Sequence, residues 1–316
     1  MNRAKPTFSA CAREYLALRR GLGFAMKGEG AQLLRFARWA DTAQPGAPLT
    51  VELAVQWACL PQGVDPTYRA RRLDIVRRFA RHLALFDSRT EVPPPKLLGR
   101  SYRRRPPHIY TLSEQAALLN AAARLGPKGG LRPHTYVTLI GLLASTGLRI
   151  SEALRLTRSD VDLDAGVLTV SESKFHKSRQ VPLHPSVAVA MRRYALRRDR
   201  HHAKRVAGTF FLTEKGTRLT YWRAMMTFTG LRRQLHWADS RPPRIHDLRH
   251  TFAVSRLLRW YEEGADVDRE IASLSTYLGH VKVTDTYWYL SAVPELLAVT
   301  AARFERYAHA AAEGRP

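Results

Sequence analysis

Four short segments of the sequence contain residues that can hold an anion, transfer a proton or act as a nucleophile. In the first segment Arg149 follows Gly147, and Glu152 comes three residues after the arginine. Gly147 is expected to break a helix, so that Arg149 lies in the first turn of the next helix and shares a face with Glu152. A guanidinium at a helix N-terminus is unfavourable for the helix but well placed to hold an oxyanion. A surface ion pair between Arg149 and Glu152 is the alternative interpretation.

A second segment combines two histidines and an arginine at helical spacing. His246 and Arg249 are three residues apart, and His246 and His250 are four apart, so all three are expected on one face of a helix. Two histidines at this spacing can bind zinc. The guanidinium between them would repel a dication and no third ligand is evident, so we expect no metal here. His250 can instead be a structural residue that makes a buried hydrogen bond.

The other two segments contribute a lysine and a pair of tyrosines. Lys174 is expected at a turn between two strands, from which it can reach across a cleft, although lysines in turns commonly only aid solubility. Gly279 is predicted to end a helix, His280 follows it, and Tyr287 and Tyr289 lie on a second short helix. Residues two apart point in different directions on a helix, so one tyrosine can face a cleft while the other packs. Two aromatic residues in a core are the alternative interpretation.

The charge of the whole chain indicates its class of partner. The 316 residues include 51 Lys and Arg against 27 Asp and Glu, a formal net charge of +24. Such a surface repels itself unless it binds a polyanion, and nucleic acid is the most common one. Two cysteines, Cys11 and Cys59, are too few for a disulfide framework or a cysteine-rich zinc site. The sequence has no apolar run of membrane-helix length and no apolar signal-peptide core, so we expect a soluble, cytoplasmic protein without a membrane partner.

A segment rich in proline and arginine divides the chain. Residues 92–107 include three consecutive prolines, which cannot continue a helix because each lacks an N–H group and has a fixed φ angle. Several arginines follow them, which makes the segment a semi-rigid basic strap. We therefore predict a helical domain over residues 1–92, a basic proline-rich linker over 93–109 and a second domain over 110–316.

The first domain is expected to be a small helical bundle that includes one arginine-rich helix. Apolar periodicity predicts helices over residues 8–20, 31–39 and 67–86, and Thr50 suits the cap of a further helix. On the helix over 67–86 arginines far outnumber acidic residues, which favours contact with phosphates over simple solvation. Predicted nucleic-acid contacts on this helix and in the linker are Arg69, Arg71, Arg72, Arg77, Arg78, Arg81, Arg100, Arg103, Arg104 and Arg105.

The second domain is expected to be mainly helical with a small β region. Alternating apolar residues on either side of an Asp-Ala-Gly turn, with one further apolar run, predict a three-stranded antiparallel sheet. The predicted elements are helices from residue 111 and over 136–144, two strands within 161–170 and one over 179–183, and an amphipathic tail helix over 294–312. From residue 185 onward the pattern is helical apart from residues 209–212.

Taken together, the four segments give the order Arg, Lys, His-x-x-Arg, His, Tyr, which resembles the tyrosine recombinase or integrase family. The motifs cover residues 110–290, and the N-terminal helices look like the family's SAM-like core-binding domain. Tyr289 lies nine residues after His280, the family's usual spacing, which Tyr287 does not fit. The segment around Lys174 lacks the glycines usual in the family, which leaves Lys177 as an alternative. By resemblance the catalytic residues are Arg149, Lys174, His246, Arg249, His280 and the nucleophile Tyr289, with Glu152 supporting the first arginine.

The resemblance implies a fold and a reaction. The fold is mainly α with a small antiparallel sheet, and its two domains form a C-shaped clamp on double-stranded DNA. In the reaction Tyr289 attacks the scissile phosphate and leaves a 3′-phosphotyrosine and a free 5′-hydroxyl. Lys174 protonates the leaving oxygen, His246 accepts the proton of the tyrosine, and His280 donates a hydrogen bond to the phosphate. No metal, ATP or other cofactor is required.

The resemblance also implies an assembly and leaves several functions open. Members of the family act as a tetramer on DNA, and the tail is expected to dock on a neighbouring protomer, with packing in cis as the alternative. Integration, excision or transposition of a mobile element and resolution of chromosome dimers are all compatible with the motifs, and each would take place at the nucleoid. A type IB topoisomerase and a DNA-binding regulator with decayed catalytic residues are the competing functions.

Overall fold

The computed structural model describes residues 6–102, 106–171, 178–203, 208–237, 242–280 and 282–292. The chain divides into two compact units, Met1–Arg105 and Pro106–Pro316. The division falls inside the segment predicted as a linker, residues 93–109. Each unit has its own apolar core, and each is described by itself.

The first unit is a bundle of helices around aromatic residues. Phe36 and Trp57 meet edge to face in its core, with 5.3 Å between ring centroids. Thr50 caps a helix as predicted, because its hydroxyl oxygen accepts a hydrogen bond from the amide of Leu53 at 3.1 Å. The helices are α1 (Phe8–Gly21), α2 (Lys27–Ala43), α3 (Val51–Cys59) and α4 (Pro66–Leu83).

The second unit is mainly helical. Its first helix begins with the predicted cap at Thr111, whose hydroxyl oxygen accepts from the amide of Glu114, while the Glu114 carboxylate accepts from the amide of Thr111. The helices are α5 (Leu112–Ala123), α6 (Leu131–Thr146), α7 (Ile150–Ala153), α8 (Pro185–His201), α9 (Tyr221–Gln234), α10 (Asp247–Glu262), α11 (Val267–Leu278) and α12 (Thr284–Ala292).

A small antiparallel sheet lies beside these helices. Its strands are β1 (Val161–Asp162), β2 (Val167–Val170) and β3 (Arg179–Pro182), in the order β1-β2-β3. In its register Val170 is paired with Arg179, so β3 begins opposite the end of β2. The prediction of a mainly α chain with a small three-stranded antiparallel sheet is therefore confirmed.

The rest of the second unit includes a non-helical stretch and segments that are not described. Residues 209–212, predicted as an exception to the helical pattern, make the isolated bridges Thr157–Thr209 and Leu212–Arg218. The segment with Lys174 and Lys177, and the tail over 294–312, lie outside the described residues. None of the helices described has the length and apolarity that a membrane crossing requires.

Candidate active site

Two helices of the second unit end at glycines with a left-handed backbone and close neighbours. Gly147 follows α6 with a φ of 62°, and Gly279 follows α11 with a φ of 68°. A Cβ atom at Gly147 would lie 2.6 Å from Cδ1 of Phe252, and one at Gly279 would lie 2.8 Å from Nη1 of Arg179. Both positions therefore need glycine for its left-handed backbone and for its lack of a side chain.

The carbonyl groups at these two helix ends hold the two arginines of the predicted site. Arg249 donates from Nη1 to the Gly147 oxygen and from Nη2 to the Leu278 oxygen, both at 2.7 Å. Arg149 donates from Nη2 to the Gly279 oxygen at 2.9 Å. Helix C-termini carry partial negative charge, so they stabilise guanidinium groups in this position. The chain thus fixes two positive charges beside each other with backbone atoms.

The two arginines differ in exposure. Arg249 is only 3% exposed, and burial, with the nearby charge of Arg149, lowers its pKa to about 10. It remains charged at neutral pH. The side chain of Arg149 is 27% exposed, so it is the more accessible of the two to a bound anion.

A buried carboxylate supports this pair. Glu152 accepts a hydrogen bond from Nη1 of Arg149 at 2.8 Å and two from Arg179, at 3.2 and 2.9 Å. Burial alone would raise the pKa of Glu152, but the hydrogen bonds and charge of Arg179, together with those of Arg149, lower it to about 2. Glu152 is therefore ionised and orients both guanidinium groups.

The histidines of α10 lie at the start of that helix. His246 is the N-cap residue, and its ring meets the ring of His250 edge to face at 4.9 Å. Although His246 is partly exposed, desolvation by the surrounding protein, with the charge of Arg249, lowers its pKa to about 4. His246 is therefore neutral at pH 7 and able to accept a proton.

The two tyrosines of α12 have opposite environments, as expected for residues two apart. Tyr287 is 41% exposed, whereas Tyr289 is 2% exposed and packs among α10 and α11. The Tyr289 hydroxyl lies 2.9 Å from Nδ1 of His250. The ring of His280 lies nearly parallel to that of Tyr289 with 6.5 Å between centroids, and His280 Nδ1 is 2.7 Å from the Thr286 hydroxyl.

The described part of the chain thus brings the predicted site residues together, apart from Lys174, which lies outside it. Two residues were not predicted for the site, Arg179 and His250. The sequence places Arg179 only as a strand residue, and nothing in its spacing indicates that it would reach Glu152. His250 shares a helical face with His246, which was a signal, but its partner Tyr289 was not identifiable. The described residues contain no group of three or more His, Cys, Asp or Glu that could hold a metal ion.

The arginines of α4 differ in their exposure. Arg71, Arg78 and Arg81 are exposed and lie along one stripe of the helix. The prediction that Arg72 contacts nucleic acid is corrected, because Arg72 is only 8% exposed and packs inside the bundle. Its guanidinium lies 3.6 Å above the Trp57 ring and donates to the Trp57 carbonyl oxygen at 2.7 Å.

The other arginines predicted to contact nucleic acid are half-buried, exposed or outside the described residues. Arg69 is half-buried and donates to the Pro61 carbonyl oxygen, and Arg77 is half-buried and paired with Asp74 at 2.7 Å. Arg100 is exposed. The other three linker residues, Arg103, Arg104 and Arg105, lie outside the described residues.

Comparison with known proteins identifies the class of enzyme. Residues 111–295 match the phage integrase family. The protein y4rB of Sinorhizobium fredii, named as an integrase or recombinase, is 42% identical over 307 residues, 95% of this chain and 98% of that protein. The tyrosine recombinase XerD of Ralstonia nicotianae is 33% identical over 235 residues, 72% of this chain and 70% of that protein.

A solved structure has the same fold. The Tn1549 transposon integrase, in complex with transposon right end DNA, matches 94% of this chain and 99% of its own with a TM-score of 0.67 at 20% identity. Fold and sequence together define a tyrosine recombinase. The chain belongs to the phage integrase family, and it is a site-specific recombinase.

Proposed function

We propose that this recombinase cuts and rejoins DNA strands through a covalent 3′-phosphotyrosine intermediate, with no metal or ATP. The observation that carries the proposal is the placement of Arg149 and Arg249. Their guanidinium groups donate to consecutive carbonyl oxygens, of Gly279 at 2.9 Å and of Leu278 at 2.7 Å. Two guanidinium groups held this close together can bind the oxygens of one phosphate, and Tyr289 packs beside them.

Fixed positive charge is what attack on a phosphodiester needs. The anion repels nucleophiles, and its transition state gathers negative charge on the non-bridging oxygens. Arg149 and Arg249 supply charge-assisted hydrogen bonds to those oxygens. The Tyr289 oxygen attacks phosphorus, the bond to the 5′-oxygen breaks, and a 3′-phosphotyrosine forms. Because a phenol, with a reference pKa of about 10, leaves more readily than an alkoxide, a 5′-hydroxyl can reverse the step.

Proton transfers are assigned to a lysine and to the histidines. Lys174 donates a proton to the leaving 5′-oxygen, and His280 donates a hydrogen bond to a phosphate oxygen. His246, neutral at pH 7, was predicted to accept the proton of Tyr289. In the described structure His250 is the histidine at hydrogen-bond distance from that hydroxyl.

Tyr289 must become accessible for this reaction. Its side chain is 2% exposed, so its hydroxyl reaches a phosphate only after the residues that cover it move. Binding of DNA supplies the free energy for such a shift if the phosphate is bound better in the shifted state. The tyrosine is then exposed only at the DNA site.

The charge of the chain and the names of its relatives support proposals about its DNA binding, its assembly and its substrate. The exposed stripe of Arg71, Arg78 and Arg81 binds the phosphates of double-stranded DNA. Exchange between two duplexes needs several active sites, so the protein assembles on DNA as a tetramer, and its tail docks on a neighbouring protomer. Since relatives include an integrase or recombinase and a transposon integrase is a structural neighbour, the substrate is a mobile element that the protein integrates, excises or transposes at the nucleoid.

One experiment separates this function from its competitors. Supercoiled plasmid that carries the DNA flanking the coding sequence, and plasmid without it, are incubated with the protein and stopped with detergent. The proposal predicts a protein–DNA adduct and recombined products that depend on the flanking DNA. Both should be absent in Tyr289→Phe and retained in Tyr287→Phe. Relaxation of both plasmids would indicate a type IB topoisomerase, and binding without any adduct would indicate a decayed regulator.

A further inference from the structure

The proposed nucleophile is held by a histidine to which the family resemblance assigns no role. The Tyr289 hydroxyl lies 2.9 Å from Nδ1 of His250, a residue of α10 that directly follows Arg249. The Tyr289 ring is buried in the apolar cluster of α10 and α11. Burial of a phenol without a partner for its hydroxyl costs free energy, so His250 satisfies a requirement of the fold.

Several neighbours distinguish this pair from an ordinary core tyrosine and its partner. The edge of the His246 ring lies against His250 at 4.9 Å, and the His280 ring lies nearly parallel to that of Tyr289 at 6.5 Å. The buried guanidinium of Arg249 is close enough for Tyr289 to influence its pKa. A structural tyrosine needs only one hydrogen-bond partner for its hydroxyl. The hydroxyl is instead placed where the positive and proton-accepting groups of the site meet.

The two histidines near the start of α10 differ in position. His246 is the N-cap residue just before the helix and makes no capping hydrogen bond with its side chain, and its ring packs edge to face against that of His250. His250 is one helical turn further along and contacts the hydroxyl itself. A base must lie within hydrogen-bond distance of the proton that it removes, and His250 meets this condition before any movement.

We propose that His250 orients Tyr289 and accepts its proton during strand cleavage, a role that rests on the proposed phosphotyrosine chemistry. The imidazole carries its own proton on Nε2, and the tyrosine donates to Nδ1. As the bond from the Tyr289 oxygen to phosphorus forms, the bond to the 5′-oxygen breaks. The tyrosine proton moves to Nδ1 of His250, and the 5′-oxygen takes a proton from Lys174. In rejoining, His250 returns its proton to Tyr289.

The charge of the site links this transfer to bound DNA. A protonated His250 would add a positive charge to a site that already holds those of Arg149 and Arg249, and like charges in one site disfavour each other. A phosphodiester held by the arginines supplies the compensating negative charge. Proton transfer to His250 is therefore favourable only when the scissile phosphate is in place, which protects the nucleophile from premature activation.

The test compares two kinds of DNA in single-turnover cleavage. Both carry the site located by the adduct assay, and in one a sulfur atom replaces the bridging 5′-oxygen. Sulfur leaves without being protonated. The sulfur duplex therefore restores the cleavage rate of a variant that lacks the proton donor, but not that of a variant whose nucleophile is impaired. The variants are His250→Asn, which retains a polar atom near Nδ1 but cannot take a proton, with His246→Asn, Lys174→Ala and Tyr289→Phe beside the wild type.

We expect His250→Asn to cleave the normal duplex more slowly by roughly 10²- to 10⁴-fold, the usual contribution of general acid–base catalysis. Its affinity for the duplex should be that of the wild type, and the sulfur duplex should not restore its rate, whereas Lys174→Ala should be restored. Near-normal cleavage by His250→Asn, its recovery on the sulfur duplex, or a larger unrecovered loss in His246→Asn would overturn the assignment. A wild type without adduct would instead contradict the phosphotyrosine function itself.

A second measurement tests the contact independently of catalysis. Thermal unfolding is followed for His250→Asn, Tyr289→Phe and the double variant. Because both substitutions remove the same hydrogen bond, the midpoint of the double variant should fall by less than the sum of the two single shifts. Additive shifts would show that the two side chains are not coupled and would overturn the proposal.

Discussion

Arg149 donates a hydrogen bond of 2.9 Å to the carbonyl oxygen of Gly279, 130 residues further along the chain. This contact joins the first motif of the candidate site to the last. Gly279 ends α11 with a φ of 68°, and that turn directs its carbonyl oxygen toward the arginine. The orientation of a guanidinium proposed to bind phosphate is therefore set by the way a distant helix ends.

Replacing this glycine should damage the site. In Gly279→Ala the new Cβ would meet Arg179 at 2.8 Å and the backbone would be strained. We expect cleavage of target DNA to slow by roughly ten-fold or more, since oxyanion-binding groups typically contribute 10²- to 10³-fold. Single-turnover assays measure this effect, and urea unfolding measures the stability.

Gly264 provides the matched control. Its φ is 72°, and a Cβ there would have open space around it. Gly264→Ala should therefore lower the free energy of unfolding by only about 1–2 kcal/mol, the cost of a left-handed backbone for alanine, and should retain cleavage. Equal losses of activity in the two variants would refute a specific role for the Gly279 turn.

Glu152→Gln should strongly destabilise the second unit. The substitution preserves the shape of the side chain but removes the negative charge that pairs with Arg149 and Arg179. The Glu152 side chain is only 1% exposed, so this pairing is buried at the carboxylate. Breaking a buried pair by removing one partner costs about 3–5 kcal/mol. The exposed pair of Arg259 and Glu263 is the control, and Glu263→Gln should cost at most about 1 kcal/mol. Urea unfolding that gives similar costs for both substitutions would contradict the account.

The lowered pKa of Glu152 predicts an acid-dependent loss of stability. Its pKa falls from 4.5 to about 2 on folding, so its contribution is complete above pH 4.5 and disappears as the pH falls through about 2. The contribution is roughly 3 kcal/mol. Unfolding of the wild type and Glu152→Gln across this pH range should show the two stabilities converging in acid. A constant difference between them would contradict the assigned pKa.

The arginines of α4 should separate DNA affinity from stability. Replacing Arg71, Arg78 and Arg81 with alanine should weaken duplex binding and lower the slope of log affinity against log salt by about 0.9 for each phosphate that the variant no longer neutralises. Arg72→Met should instead lower the melting temperature and leave the slope unchanged, because its guanidinium is buried against Trp57. Fluorescence anisotropy between about 50 and 200 mM salt measures the slope. A triple variant with the wild-type slope would exclude this stripe as the surface that binds phosphate.

Much of the fold was predictable because local signals decide it. The cap at Thr50 and the break at Gly147 depend on neighbouring residues, and both are present. The break in the helical pattern at residues 209–212 was also predictable, and this stretch buries Phe210 and Phe211 and makes two isolated bridges. Which residues it pairs with depends on tertiary packing, so its β-propensity did not indicate them.

The candidate site was predictable as a set of residues but not as a network. The roles of the arginines, histidines and tyrosine could be inferred from their residue types and their order along the chain. The ion pair of Glu152 with Arg179 joins residues 27 apart in the sequence, and the hydrogen bond of His250 with Tyr289 joins residues 39 apart. Such contacts arise from tertiary packing, which a local pattern does not encode. For the same reason Arg72 was misjudged, since its burial depends on where Trp57 lies.

Tyr289 is proposed to form the covalent bond to DNA, and chemical identification of the linked residue shows whether it does. The wild-type protein is trapped on its target DNA, digested with trypsin and nuclease, and the nucleotide-bearing peptide is fragmented in a mass spectrometer. We expect a 3′-phosphonucleotide on Tyr289. A nucleotide on Tyr287 or on any serine or threonine would contradict it.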